Sequence, residues 1–248
     1  MFSVIFPGQG SQIVGMGKEF YDKFDLVKNL FKEADESLNY PLSKIILDGP
    51  KEELDLTANT QPAMFLISYA IFNVVKKEFN IDLSKAKYFA GHSLGEYSAL
   101  SCGGYLPFSE TLKILRIRGD AMQNSVPKGE GGMVAVLGST VEIIEQVLKE
   151  NDQNLKAQIA NDNSEGQIVL SGQINDLDKL IIILKEKSIK NIKLPVSAPF
   201  HCSLMNKATQ VMSTELNRLN FLQSKIKLIS NVTAEEIINI DELKELLI

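Results

Sequence analysis

Short apolar runs alternate with longer amphipathic stretches along this chain, and their periods predict a mixed α/β protein. Residues 3–6 form a brief apolar run closed by Pro7-Gly8, as a buried strand would be. Helical spacing follows over 18–38, with Phe20, Phe24, Val27, Leu30, Phe31 and Ala34 recurring at three- and four-residue intervals. A second helix is expected over 61–79. It is apolar on most of its circumference, which predicts deep packing, and Pro62 suits its first turn, where a missing N–H costs nothing. A strand at 87–90 leads into Gly91-His92-Ser93-Leu94-Gly95 and then into helix-compatible sequence through 100. A further helix fits 109–124, with Ser109 as its N-cap.

The middle third changes period. After the glycine-rich entry Gly129-Glu130-Gly131-Gly132, the pattern reads strand (133–137), helix (141–151) and strand (155–160). A turn rich in Asn, Asp and Gly (161–166) follows, then strand (167–171), helix (174–187) and strand (191–196). That βαββαβ order is the one of a ferredoxin-like unit. The glycine-rich entry and Pro195 at the exit mark it as a subdomain of residues 128–196, inserted into a discontinuous core of 1–127 and 197–248. The chain then returns into a helix ending near 219 and a strand over 225–230.

Charge and composition narrow the function. The 248 residues carry a net charge of −5, from 26 basic and 31 acidic side chains, with no basic block of the kind that binds nucleic acid. No stretch approaches the ~20 apolar residues that span a bilayer. The N-terminus lacks the basic n-region and the apolar length of a signal peptide, so a cytoplasmic location is expected. Cys102 and Cys202 are the only cysteines. They are expected to be thiols, and no zinc-type spacing exists.

Gly91-His92-Ser93-Leu94-Gly95 matches G-x-S-x-G, in the strand-to-helix context that a nucleophile elbow requires. Such a turn strains the serine backbone, pushes Oγ out of the sheet and aims the next helix's N-terminus, with the Leu94 N–H, at the reacting centre. A serine hydroxyl needs a base, and the chain has only His92 and His201. His92 adjoins Ser93 on a tight turn, where neighbours point apart, so His201 is the better candidate. An acid partner could be Asp120, Asp162, Asp176 or Asp178, or else a neutral carbonyl orienting the imidazole. The loop Pro7-Gly8-Gln9-Gly10-Ser11-Gln12 lacks the Lys-Ser/Thr ending of a phosphate loop. It reads as the other half of an oxyanion hole, with the Gln9 N–H as donor. Arg118 offers a bidentate grip on a substrate carboxylate, and Arg116, two positions away, should face elsewhere.

Together these residues resemble the malonyl-CoA:acyl carrier protein transacylases and their acyltransferase relatives in polyketide synthases. The resemblance rests on Phe6-Pro7-Gly8-Gln9-Gly10-Ser11-Gln12, Thr60-Gln61-Pro62-Ala63, the elbow continued through Glu96-Tyr97-Ser98-Ala99-Leu100, and Arg118-Gly119. Asn163-Ser164, Gly166-Gln167, Pro195-Val196-Ser197 and Phe200-His201 complete it. It implies an α/β-hydrolase-like core with a ferredoxin-like insert, and malonyl transfer from malonyl-CoA to acyl carrier protein through a malonyl-serine. It further implies Ser93 as nucleophile, His201 as base, Gln9 and Leu94 as oxyanion donors and Arg118 as carboxylate ligand. Phe200 would select against branched acyl groups, and Asn163 would lie near the cleft. No cofactor or metal is expected, and a monomer is. Members of the family continue past the point matching Ile248, so the chain reads as C-terminally short. A serine thioesterase or esterase, or an inactive relative that binds carrier protein, are the alternatives.

Overall fold

A computed structural model describes the chain apart from Lys128, Asn154, Pro195 and Ser197. The expected subdomain crossings at residue 128 and at Pro195, and the return at Ser197, lie outside the described residues. Contacts divide the chain into two units, Met1–Asp120 with Val211–Ile248, and Ala121–Gln210. Among the described residues the strands are β1 (Val4–Phe6), β2 (Phe89–Gly91), β3 (Gly131–Leu137), β4 (Ala157–Ser164), β5 (Gln167–Gln173), β6 (Lys190–Lys193) and β7 (Leu228–Ile229). The fold is mixed α/β, with one parallel and one antiparallel sheet.

The first unit is built on a parallel sheet in the order β1-β2-β7. Helices bury it. Helix Thr57–Lys77 is buried on nearly every side over its first ten residues, as its continuous apolar character requires. Helix Leu94–Cys102 is buried from Leu94 through Ser101.

Several element boundaries differ from those the periodicity predicts. The expected helix over 18–38 is two, Lys18–Lys23 and Asp25–Leu38, broken at Phe24, whose backbone is extended (φ −119°, ψ 119°). The break redirects the second helix so that Val27, Leu30, Phe31 and Ala34 enter the core. The helix expected from 61 begins at Thr57, so Pro62 sits in its second turn rather than its first. The extension escaped the apolar period because four of residues 57–61 are polar. Their side chains bond inward instead: Thr60 Oγ1 donates to the Leu54 carbonyl (2.6 Å) and Asn59 to the Glu53 carbonyl (2.7 Å). The helix expected at 109–124 spans Phe108–Gln123, so Ser109 lies inside it and is not the N-cap. Helices Leu42–Asp48, Lys51–Leu54 and Ile240–Leu247 have no counterpart in the sequence reading.

The second unit holds an antiparallel sheet in the order β4-β5-β3-β6, connected βαββαβ through helices Val141–Glu150 and Ile174–Glu186. Alternation along β3 sends Val134 and Val136 to the helix-covered face, against Ile144, Val147, Leu177, Leu180 and Leu184. Met133 goes to the other face, where it packs with Met122, Val169, Phe200 and Met205. Each fully buried aliphatic side chain here contributes about 1.5–3 kcal/mol. The polar run 161–164, expected as a turn, continues β4. Bulges at Ile159/Asn161 and Asp162/Ser164 absorb its irregular register against β5, leaving only a tight connection at Gly166, where φ is 78°.

Candidate active site

The G-x-S-x-G turn follows β2 directly. Ser93 has φ 51° and ψ −112°, a strained conformation for a residue with a side chain. The flanking glycines are sterically required. A Cβ at Gly91 would collide with the Gly95 carbonyl, and one at Gly95 would stand 2.5 Å from the Phe6 oxygen and 2.8 Å from the Pro7 oxygen. Leu94 opens the following helix, so its N–H lies in the first turn, where an α-helix supplies no acceptor.

The loop after β1 lies against this turn. The His92 N–H donates to the Phe6 carbonyl (3.1 Å), and a Cβ on Gly8 would stand 2.6 Å from His92 Nδ1. Within the loop, the Gly10 N–H donates to Gln12 Oε1 (2.8 Å), and Gln12 Nε2 donates to Asp55 (3.0 Å). The chain around Gln9 is thereby tied to the elbow on one side and to the helical region on the other.

Arg118 reaches Ser93. Its Nη2 donates to Ser93 Oγ (3.2 Å) and its Nη1 to Gln61 Oε1 (2.9 Å), while the guanidinium lies over the Tyr97 ring at 5.5 Å. Gly119 makes this geometry possible. A Cβ there would stand 2.6 Å from Ala58 Cα and the Thr57 oxygen, so only glycine lets helix Phe108–Gln123 approach helix Thr57–Lys77 this closely. Arg116 goes elsewhere, as expected: it bonds Asn59, pairs with Asp120 (3.3 Å) and stacks on Tyr40.

Three residues that the sequence reading did not assign to the site complete it. Gln61 fixes the fork of Arg118. Glu96, on the elbow helix, is 4% exposed. Burial, only partly offset by the Asn231 N–H and the Arg118 charge, pushes its carboxyl up to about 7. Burial pushes the Tyr97 phenol up to about 12, and its hydroxyl donates to the Leu247 carbonyl (3.2 Å). The same desolvation pulls the Arg118 guanidinium down, against Tyr97 and Glu96. Asn231 follows β7 and is the third: its Oδ1 accepts the Ser93 N–H (2.7 Å), and its Nδ2 donates to the Gly91 carbonyl. The available signal was its place, a polar residue just beyond the carboxyl end of a parallel strand, where ligands gather in such sheets.

Ser93, Leu94, the Gln9 loop and Arg118 are thus brought together within the first unit. His201, Phe200 and Asn163 belong to the second. His201 is exposed, with φ 56°. Around it, Cys202 Sγ donates to the Pro199 carbonyl (3.1 Å) and the Ser203 N–H to Gln158 Oε1 (2.6 Å). Phe200 is buried among Met122, Met133, Val169 and Met205, and Asn163 is exposed at a bulge of β4. Of the candidate acids, Asp120 pairs with Arg116 and Asp178 with Lys193. Asp176 accepts the Lys156 N–H (3.0 Å). Both cysteines are free thiols. Among the described residues no cluster of His, Cys, Asp or Glu is arranged to hold a metal, and no helix is long and apolar enough to cross a membrane.

Comparison with known proteins identifies the family. The profile of the acyl transferase domain matches residues 3–245. The malonyl CoA-acyl carrier protein transacylase of Bacillus subtilis (strain 168) is 41% identical over 98% of this chain and 76% of its own. That of Escherichia coli (strain K12) is 34% identical over 100% of this chain and 79% of its own. The crystal structure of acyl-carrier-protein-S-malonyltransferase from Bartonella henselae superposes with a TM-score of 0.95 at 39% identity, over 100% of this chain and 79% of that one. A malonyl-transacylase solved in complex with its type II polyketide acyl carrier protein gives a TM-score of 0.94 at 34% identity, over 99% and 79%. The chain belongs to the acyl transferase domain family, in the branch whose members are named malonyl CoA-acyl carrier protein transacylase.

Proposed function

We propose that this chain transfers a malonyl group from malonyl-CoA to the phosphopantetheine thiol of an acyl carrier protein, in fatty acid synthesis, through an ester on Ser93. The observation that carries the reading is the Arg118 guanidinium 3.2 Å from Ser93 Oγ, on a serine held at φ 51°. An esterase has no need of a fixed cation beside its nucleophile. An enzyme that accepts an acyl chain ending in a carboxylate does.

The chemistry runs in two balanced halves. Ser93 Oγ bonds to the thioester carbon as its proton passes to His201, and the Gln9 and Leu94 N–H groups receive the oxyanion. The C–S bond then breaks, and CoA leaves as the thiol with the proton that His201 returns. The carrier protein's thiol attacks the malonyl ester in the same way and frees Ser93. Arg118 holds the malonyl carboxylate throughout, Phe200 disfavours a branched acyl group, and Asn163 belongs to the substrate-binding set. The reading needs no cofactor or metal, and takes the protein to be a cytoplasmic monomer. The finer fold assignment, an α/β-hydrolase-like core with a ferredoxin-like insert, is supported by the elbow on a parallel sheet and by the sheet order β4-β5-β3-β6 within βαββαβ.

Intact-mass spectrometry after brief exposure to malonyl-CoA tests it, with Ser93→Ala alongside. One malonyl adduct is expected on the wild type and none on the variant, and holo-carrier protein should discharge it. Absence of an adduct on folded protein overturns the reading. Equally fast discharge to water without carrier protein would make the chain a thioesterase.

A further inference from the structure

We propose that Asn231 is a positioning residue for the nucleophile: its carboxamide substitutes for a peptide group where the sheet ends and holds Ser93 in its reactive turn. The proposal rests on the reading of Ser93 as the acylated residue. It begins with the ladder. β2 pairs with β7 at Phe89 with Leu228 and at Ala90 with Ile229, and there the backbone pairing stops. It cannot continue, because both chains turn away. Ser93 leaves the sheet at φ 51°, and Ser230 enters a tight turn, its Oγ accepting the Val232 N–H (3.0 Å) and its carbonyl the Ala234 N–H (3.0 Å).

Two backbone groups of the elbow lie just past the end of that pairing, the Gly91 carbonyl and the Ser93 N–H. The Asn231 side chain meets both. Its Nδ2 donates to Gly91 and its Oδ1 accepts from Ser93 at 2.7 Å, which is the donor–acceptor pair a neighbouring peptide would present. The backbone N–H of Asn231 donates in turn to Glu96 Oε1 (3.3 Å), in the first turn of the elbow helix. A single residue therefore spans the end of the strand, the nucleophile and the helix that follows it. Neither alanine nor aspartate can do this. Alanine offers no partner to either group, and an ionised aspartate cannot donate to the Gly91 carbonyl.

The test separates position from substrate recognition. A fluorophosphonate phosphonylates a serine directly: Oγ bonds to phosphorus, fluoride leaves and the hydroxyl proton goes to the base. It carries no carboxylate, so it reports on the nucleophile independently of any carboxylate grip by Arg118. Labelling of Ser93 should be at least about fivefold slower in Asn231→Ala and in Asn231→Asp, since small displacements of a reacting group cost large factors in rate. The malonyl-CoA KM should stay within about threefold of wild type, because the residue does not grip substrate. A folded variant labelled less than about fivefold more slowly than wild type overturns the proposal. So does loss of reactivity that follows loss of the fold in both variants, which would make Asn231 purely structural. Failure of the underlying reading looks different, because wild type itself would then go unlabelled or be labelled elsewhere than at Ser93.

Discussion

Replacing Glu96 with glutamine tests how the buried side of the elbow helix is held. The carboxyl is 4% exposed, and its pKa rises from an ordinary 4.5 to about 7, chiefly through burial. Between these values the folded state holds a proton that the unfolded state has released, so stability falls as pH rises through that window. The full contribution is present below 4.5 and is lost above about 7. The shift corresponds to roughly 3 kcal/mol at about 1.4 kcal/mol per unit, of which roughly 2 to 3 falls between pH 5 and pH 8. Glutamine keeps an oxygen for the Asn231 N–H but does not ionise. Urea unfolding of wild type and Glu96→Gln at both pH values isolates the effect, because every other titrating group cancels in the difference. Glu96→Gln should gain on wild type by roughly 2 kcal/mol on going from pH 5 to pH 8. Parallel losses in the two proteins would refute the reasoning and show that Glu96 ionises in the folded state at its ordinary value.

Two further predictions concern the site itself. Arg118→Ala should lower kcat/KM for malonyl-CoA by a factor on the order of 10² or more, as expected for removing one partner of a partly buried charge pair, while acetyl-CoA changes by less than about tenfold. Arg118→Lys should recover only part of that loss, since an ammonium cannot serve both Gln61 and a carboxylate from one planar fork; equal losses with both acyl groups would end the assignment. Gly95→Ala drives a Cβ to 2.5 Å from the Phe6 oxygen, a backbone atom that cannot swing aside. It should lower stability by about 1–3 kcal/mol and suppress labelling of Ser93, and a variant with native melting temperature and full labelling would contradict it.

The elbow was legible because its requirements are local. Gly91 and Gly95 are demanded by contacts within a few residues of Ser93 or with the adjacent strand, and the strand, serine and helix occur in sequence order. Arg118 could be named but not placed. What aims it is a close helix crossing at Gly119, whose neighbour Ala58 lies on a helix more than fifty residues earlier. The start of that helix was missed for a related reason. Asn59 and Thr60 satisfy their polar groups on carbonyls of the preceding turn, so the segment folds inward without an apolar stripe to announce it. At β4 the error runs the other way. Asn161-Asp162-Asn163-Ser164 has the composition of a turn, yet β5 provides a ladder that tolerates two bulges, and pairing prevailed over local preference.

Two of the site residues that stayed hidden, Glu96 and Asn231, bond backbone groups far away in sequence. Asn231 stands 138 residues from Ser93, just past the last strand the sequence predicts. Its role exists because Ser93 abandons the sheet at the point where β7 also ends, and the Asn231 side chain bonds the Gly91 carbonyl and the Ser93 N–H just past that point. The geometry of Ser93 and its support are therefore one structural problem with two distant solutions, a glycine-flanked serine and an amide that completes the ladder. Ser93 leaves its strand just where the pairing of β2 with β7 ends, so the strand end at this elbow has to be capped. In this chain a single asparagine does so, and the same residue connects that cap to Glu96, whose protonation is the pH-sensitive feature tested above.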